Sequence, residues 1–320
     1  MLELLPLTQE HRPAAAALVA QAFRRERCAV PLLGEHDAAA IAAASIDALC
    51  DNGLGVAAVE DGRLMGFLSG FPVQKFFGAS DGVYVPVFGH GAVEEDAPRV
   101  YRALYAHAAG QWVGKGLLSH AITLFAHEAP VQTWFWMGFG LRCVDGIRDL
   151  SPIAIRESGL TVRAITADDA DLLWPLHREH QSYYHRSPLF MPYRADADAE
   201  PLRQWLQEPE HWLWAVFDGS QAIAYMQVCH GGETFVSDDP HMRNICGAFT
   251  TPAARGSGAA TLLLNHILGW MRETGMQRLG VDYESFNPLG SGFWLKHFTP
   301  FTYSLTRRVD ERIVGFSPFD

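Results

Sequence analysis

The sequence has no apolar run long enough to span a bilayer, no cysteine pairing pattern and no surplus of basic charge. Its five cysteines (Cys28, Cys50, Cys143, Cys229, Cys246) are scattered, odd in number and form no CxxC pair. That argues against a disulfide framework or a structural zinc site and fits a reducing cytoplasm. Lys and Arg number 25 against 36 Asp and Glu, a formal net charge of -11. A general nucleic-acid binder normally carries a basic face, so no nucleic-acid partner is expected. Near the N-terminus Glu3, Glu10, His11 and Arg12 interrupt any leader-like apolar stretch, so no leader and no membrane partner are expected either.

What is present describes a folded protein. Hydrophobic residues make up 48% of the 320 and charged residues 19%, enough to bury a core in each of two ordinary domains. Leu2–Leu7 reads as a short strand, Thr8 starts a helix through Ala15, Leu18, Val19, Ala22 and Phe23, and a second, Ala-rich helix runs from about His36 to Cys50. Leu54 to Leu68 is two apolar runs around Asp61-Gly62, a hairpin pattern. Val83 to His90 reads as a strand weakened by Pro86, and Ala97 to Ala129 as mostly helical with Pro130 as the stop. An aromatic segment, Trp134-Phe135-Trp136, closes this half and suits either a contact between domains or a homodimer surface. Asp149 to Gly159, with Pro152 among polar residues, reads as a linker.

The pattern then starts again. Thr161–Ile165 is strand-like, Thr166 opens a helix through Leu172, Leu173 and Leu176, His185 to Glu200 is loop-like, and a helix lies near Pro201–Gln207. A second hairpin follows, Trp212 to Tyr225. Ala58-Val59-x-Asp61-Gly62 and Ala215-Val216-x-Asp218-Gly219 carry the same turn at the same place in each half. The period is too long for a solenoid and fits duplication of one mixed α/β domain, with expected boundaries 1–150 and 160–320.

In the second half, the strand-like Asn244–Phe249 leads to Thr250-Thr251-Pro252-Ala253-Ala254-Arg255-Gly256-Ser257-Gly258-Ala259-Ala260, and Ala259, Leu263, Ile267 and Trp270 then recur at helical spacing. Free N–H groups and the positive end of the helix dipole coincide there and make an anion site. Gly256 and Gly258 permit a tight turn and close approach of a phosphate, and Arg255 adds a permanent charge. No Lys-Ser/Thr pair follows, so this is not a P-loop, and the three-glycine dinucleotide pattern is incomplete.

The stretch resembles the pyrophosphate loop of the GNAT acyltransferase superfamily, Gln/Arg-x-x-Gly-x-Gly/Ala, with Arg255, Gly258 and Ala260 at its fixed positions. The order of elements in both halves is similar to the GNAT fold. The resemblance implies an α/β (α+β) protein of two GNAT-like domains, each a mixed, mostly antiparallel twisted sheet flanked by helices. In the first domain the corresponding place reads Val93-Glu94-Glu95-Asp96-Ala97-Pro98-Arg99, with three acids that would repel a pyrophosphate, so CoA binding is expected to be lost there.

For the second domain the resemblance implies acetyl-CoA as co-substrate, no metal, and direct attack by an amine, from a small molecule or a protein amino group. Phe249, Thr250, Thr251, Arg255, Gly256, Ser257, Gly258, Ala259 and Ala260 would hold the cofactor, with a backbone N–H near Phe249 or Thr250 facing the oxyanion. Asn287 matches the family's Asn-x-x-Ala, while Trp294 stands where the family's Tyr protonates the departing thiolate. Indole does not protonate a thiolate near neutral pH. A base for the amine is sought in Glu284, Asp282 and, second, Glu233 near Cys229-His230-Gly231-Gly232. The loop after the first helix forms an acceptor wall in the family; here Tyr183, Tyr184, His185 and Tyr193 supply aromatic faces suited to a cationic amine. His177, His180 and His185 permit a metal face by spacing, but no further ligand cluster is evident, and the helix reads as solvated or cleft-lining. Two competing readings are a non-catalytic CoA-binding or regulatory protein and a transferase of another acyl-CoA.

Overall fold

The computed structural model describes residues 1–128, 130–192 and 196–315. The chain divides into two compact units, Met1–Val144 with Pro300–Asp320, and Asp145–Thr299.

Unit 1 begins with β1 (Glu3–Pro6), α1 (Arg12–Ala29), α2 (Ala38–Asp51), β2 (Val56–Glu60) and β3 (Arg63–Leu68). It continues with β4 (Phe71–Val73), β5 (Gly82–Val85), β6 (His90–Ala92), α3 (Ala97–Gly114), β7 (Ser119–Phe125) and α4 (Val131–Trp136). Strands β1, β2, β3 and β6 form one sheet in that order, all antiparallel. Side chains alternate across it as the pleat requires. Ala57 and Phe67 join the α1/α2 core with Val19 and Ile46, whereas Val56, Ala58 and Leu68 join the α3 core with Val100, Leu104 and Trp112.

The strand expected over Val83–His90 is interrupted. Pro86 cannot donate to a ladder and instead accepts from Gly89 N–H in a turn at 2.8 Å. The two pieces, β5 and β6, therefore lie in different sheets. The long helix expected to Ala129 also ends early: Gly116 takes φ +77 just beyond Gly114, which stops α3, and the fully buried run Ser119–Phe125 forms β7. Glu94 to Asp96 sit in a short 3-10 turn ahead of α3, and Arg99 pairs with Asp96 and Glu60.

The strand β8 (Gly140–Asp149) carries the chain across the boundary between the units. Unit 2 then contains β9 (Thr161–Ile165), α5 (Ala170–His185), α6 (Glu200–Gln207), β10 (His211–Asp218), β11 (Gln221–Cys229), β12 (Met242–Thr250), α7 (Ala259–Glu273), β13 (Arg278–Glu284) and α8 (Pro288–His297). Its sheet has the order β8-β13-β12-β11-β10-β9. Strands β9 to β12 pair antiparallel, and β12 pairs with β13 in parallel. Leu173, Leu176 and Leu202 of α5 and α6 cover one face over Leu213 and Ala215. On the other face Trp270 of α7 lies 5.0 Å from Trp212 and 4.7 Å from Trp214.

The final strand, β14 (Thr299–Arg308), pairs antiparallel with β7 from Thr302–Phe125 to Arg308–Ser119. From Pro300 onward the chain thus belongs to unit 1, although the sequence pattern placed it with the second domain. The two hairpin turns do not coincide as the repeated motif suggests. Each carries a register shift ahead of its turn, between Ala58 and Val59 and between Val216 and Phe217. Aligning these shifts sets Gly219 opposite Asp61, one residue off the sequence match. The first turn takes positive φ at both Asp61 and Gly62, the second at Gly219.

Candidate active site

The site in unit 2 begins where two parallel strands part. β12 and β13 are paired from Met242–Arg278 to Ile245–Val281, yet β12 continues to Thr250 and β13 to Glu284. The unpaired ends open a wedge between them. A register shift in the β11–β12 pair, between Gln227 and Val228, leaves Cys246 as an extra residue where the wedge opens. A cavity of about 870 Å³ occupies this place and is lined by Cys246–Thr250 on one side and Val281–Glu284 on the other.

The mouth of the cavity is the glycine turn. Pro252–Ala254 make one 3-10 turn; Gly256 then takes φ +79 and Gly258 φ +94, and α7 starts at Ala259. Both glycines adopt left-handed backbone, which side-chain-bearing residues avoid. A Cβ placed on either would meet nothing within 4 Å, so the turn presents bare main chain to open space. Ser257 Oγ accepts from Ala259 N–H at 3.3 Å. The remaining N–H groups of the first turn of α7 have no intrahelical acceptor, by the geometry of any helix start, and they share one direction with the helix dipole.

Arg255 stands over the Tyr183 ring, 5.3 Å from its centroid. The Tyr183 hydroxyl donates to Asn287 Oδ1 at 2.9 Å, and the same oxygen caps α8 by accepting from Gly290 N–H at 3.3 Å. A continuous set of contacts therefore joins the glycine turn, α5 and the start of α8 around the cavity. Trp294 is buried on α8 beside Phe293 and Phe298 and lines the cavity wall.

Three acids were singled out by the sequence. Asp282 and Glu284 both line the cavity; Glu233 is exposed and does not. Asp282 is an exposed residue that opens to the cavity, yet the protein packed around its carboxyl desolvates it. That desolvation, with the negative charges of Glu233 and then Glu284, pushes its carboxyl up to about 7. Of the remaining residues, Phe249, Thr250, Arg255, Gly256, Gly258, Ala259, Ala260, Asn287, Trp294, Tyr183 and Tyr184 line the cavity. Thr251 and Ser257 do not: Thr251 N–H donates to Ile223 O at 2.9 Å, and Ser257 shapes the turn. His185 faces away, its Nδ1 3.3 Å from Met191 O. Tyr193 lies outside the described residues.

Sequence reasoning missed several lining groups. His180 and Tyr225 form the wall behind Phe249: Tyr225 is opposite Phe249 in the β11–β12 register, and the His180 ring stacks on Phe249 at 5.1 Å. Tyr225 sits in an apolar strand run and reads as core, so only its register with Phe249 reveals it. The stretch read as a linker also contributes, with Ile153 to Arg156 lining the cavity. Ile153 N–H donates to Asn265 Oδ1 at 2.8 Å, which ties the segment to α7. Nothing in its Pro- and Gly-punctuated sequence signals that anchor, because the partner lies far along the chain.

With this geometry in view, the fold can be placed. Parallel strands that part beside a glycine turn and helix start, in a mostly antiparallel sheet flanked by helices, define the GNAT-superfamily fold, here in a tandem two-domain chain. Residues 173–298 match the model of the Acetyltransferase (GNAT) family. Among solved structures, a GCN5-related N-acetyltransferase from Sphaerobacter thermophilus is 14% identical, covering 96% of this chain and 95% of that one with a TM-score of 0.58. A tandem GNAT protein from the clavulanic acid biosynthesis pathway is 13% identical, with 96% and 98% covered and a TM-score of 0.46. A GCN5-related N-acetyltransferase from Anabaena variabilis is 12% identical, with 97% and 73% covered and a TM-score of 0.45. No curated protein sequence matches the chain.

Proposed function

We propose that unit 2 transfers an acetyl group from acetyl-CoA to an amine by direct attack. The observation that carries this reading is the shared cavity: the anion-binding turn at Gly256–Gly258 and the carboxyl of Asp282 open into one space between parted strands. The cradle fits a pyrophosphate, since bare main chain with positive φ faces open volume and Arg255 stands beside it. The wedge accepts an extended pantetheine arm against the free edge of β12, where unpaired main-chain groups pair with its amides. Held there, a thioester is positioned for attack, and positioning alone is worth many orders of magnitude in rate.

Asp282 is the preferred base. A protonated amine cannot attack, and a carboxyl that titrates near 7 both takes up the proton and gives it to water at working pH. Glu284, one alternation further along β13, helps to hold a cationic amine beside it, and the Tyr183 and Tyr184 rings supply the apolar wall. Trp294 packs rather than protonates, so the departing thiolate takes its proton from water or from a group other than this indole. Turnover is read as free CoA thiol released from acetyl-CoA over a panel of primary amines and an N-terminal peptide. Release that depends on amine is expected; acetyl-CoA binding without release by any amine would favour a non-catalytic binding protein instead.

A further inference from the structure

A chain of hydrogen bonds runs from a backbone amide on the far side of α5 to the cavity wall, and its direction is fixed at the start. Asp196 N–H donates to Gln181 Oε1 at 3.1 Å. That sets which end of the Gln181 amide is oxygen, so its NH2 group donates to Asp196 Oδ2 at 2.6 Å and to His177 Nε2 at 3.3 Å. With Nε2 accepting, neutral His177 carries its proton on Nδ1, which donates to Tyr225 Oη at 3.0 Å. The Tyr225 hydroxyl then donates to His180 Nδ1 at 2.5 Å. His180 is left with its proton on Nε2. That nitrogen has no hydrogen-bond partner among the described residues, and the ring itself lines the cavity. Phe249 stacks on it at 5.1 Å and Tyr184 lies 5.0 Å away, so the ring is held in place.

We propose that His180 is a catalytic residue: a neutral, pre-oriented Nε2–H donor to the thioester carbonyl oxygen, where negative charge collects during attack. This deepens the acetyl-transfer reading and rests on it. Tyr225, His177 and Gln181 are positioning residues that hold the His180 tautomer. Burial, reinforced by the neighbouring His177, lowers the His180 pKa to about 3, which keeps the ring uncharged and unsuited to act as a base. A donor fixed before reaction needs no reorganisation when charge develops, and losing one such donor typically slows turnover about 10²–10³-fold.

Two measurements test the proposal. Nitrogen-15 NMR of the histidine rings reads the tautomer without substrate: the Nε2–H form is expected for His180, unchanged from pH 8 to pH 5, with a tautomer mixture in Tyr225→Phe. An Nδ1–H form, or titration near pH 6.5, would overturn it. In the assay, His180→Ala should lower kcat by about 10²–10³-fold with acetyl-CoA affinity unchanged, whereas His180→Gln, which keeps an amide N–H, should recover most of it. Equal rates for the two variants would also overturn it. Failure of the wild type to bind acetyl-CoA would count against acetyl transfer itself, while the NMR result would still decide whether the ring is a fixed donor.

Discussion

The carboxyl of Asp282 carries the sharpest consequence of a single residue's surroundings. Its value of about 7 means that it is protonated in acid and ionised above neutrality. If it takes the amine's proton, kcat/KM rises with pH through about 7 and levels off above. Asp282→Asn should remove that inflection and lower the plateau by about 10²-fold; an unchanged inflection would assign it to another group. The identity of this residue was legible in the sequence, since Asp282 and Glu284 share a face of a strand that follows the glycine turn. Its ranking above Glu284 was not, because the ranking depends on enclosure and on Glu233, which approaches from a separate loop. The helix carrying His177 and His180 read as solvated or cleft-lining, and His180 does line the cavity. The convergence of the two rings on one tyrosine hydroxyl was not legible, because that tyrosine comes from another strand.

Among the elements, the glycine turn is the clearest case of sequence dictating shape. Gly256 and Gly258 were legible as a turn because no other residue type adopts their backbone cheaply, and the φ values of +79 and +94 require that freedom. Gly256→Ala should therefore cost about 1–2 kcal/mol, from backbone strain rather than collision, since space at its Cβ is open. A lower melting temperature together with weaker acetyl-CoA binding is expected; unchanged values of both would mean that the turn rearranges freely. Strand β7 shows where local reading fails. Ser119–Phe125 follows α3 after only the short Gly114–Gly116 interruption, and pairing with β5 on one side and the distant β14 on the other makes it a strand. Pro86 fails in the opposite sense: its missing donor was recognised as a weakness, but the outcome, two pieces in two sheets, depends on the pairing partners available.

For the whole molecule, the assignment of β14 to unit 1 alters what counts as a foldable piece. Phe301 and Leu305 are 1% and 4% exposed, and Leu305 belongs to the same core as Trp112 and Trp134. A fragment of residues 1–150 lacks them and leaves the edge of β7 bare, so it should show poor amide dispersion in solution. Fusing residues 299–315 to its end through a flexible linker should restore a cooperative melt. A well-folded 1–150 fragment would contradict this account. Two units were legible from the restart of the element pattern, but the destination of the last strand was not, because pairing across most of the chain leaves no local trace. The central claim, that unit 2 holds acetyl-CoA at the start of α7, is tested most directly by calorimetry on wild type and Ala260→Glu. Ala260 lines the cavity in the first turn of α7, where a carboxylate favours the helix dipole and requires no unusual backbone. The account predicts binding by wild type and a loss of at least about 10-fold in the variant, with its melting temperature kept or raised. Equal affinity for acetyl-CoA in the two proteins would contradict it.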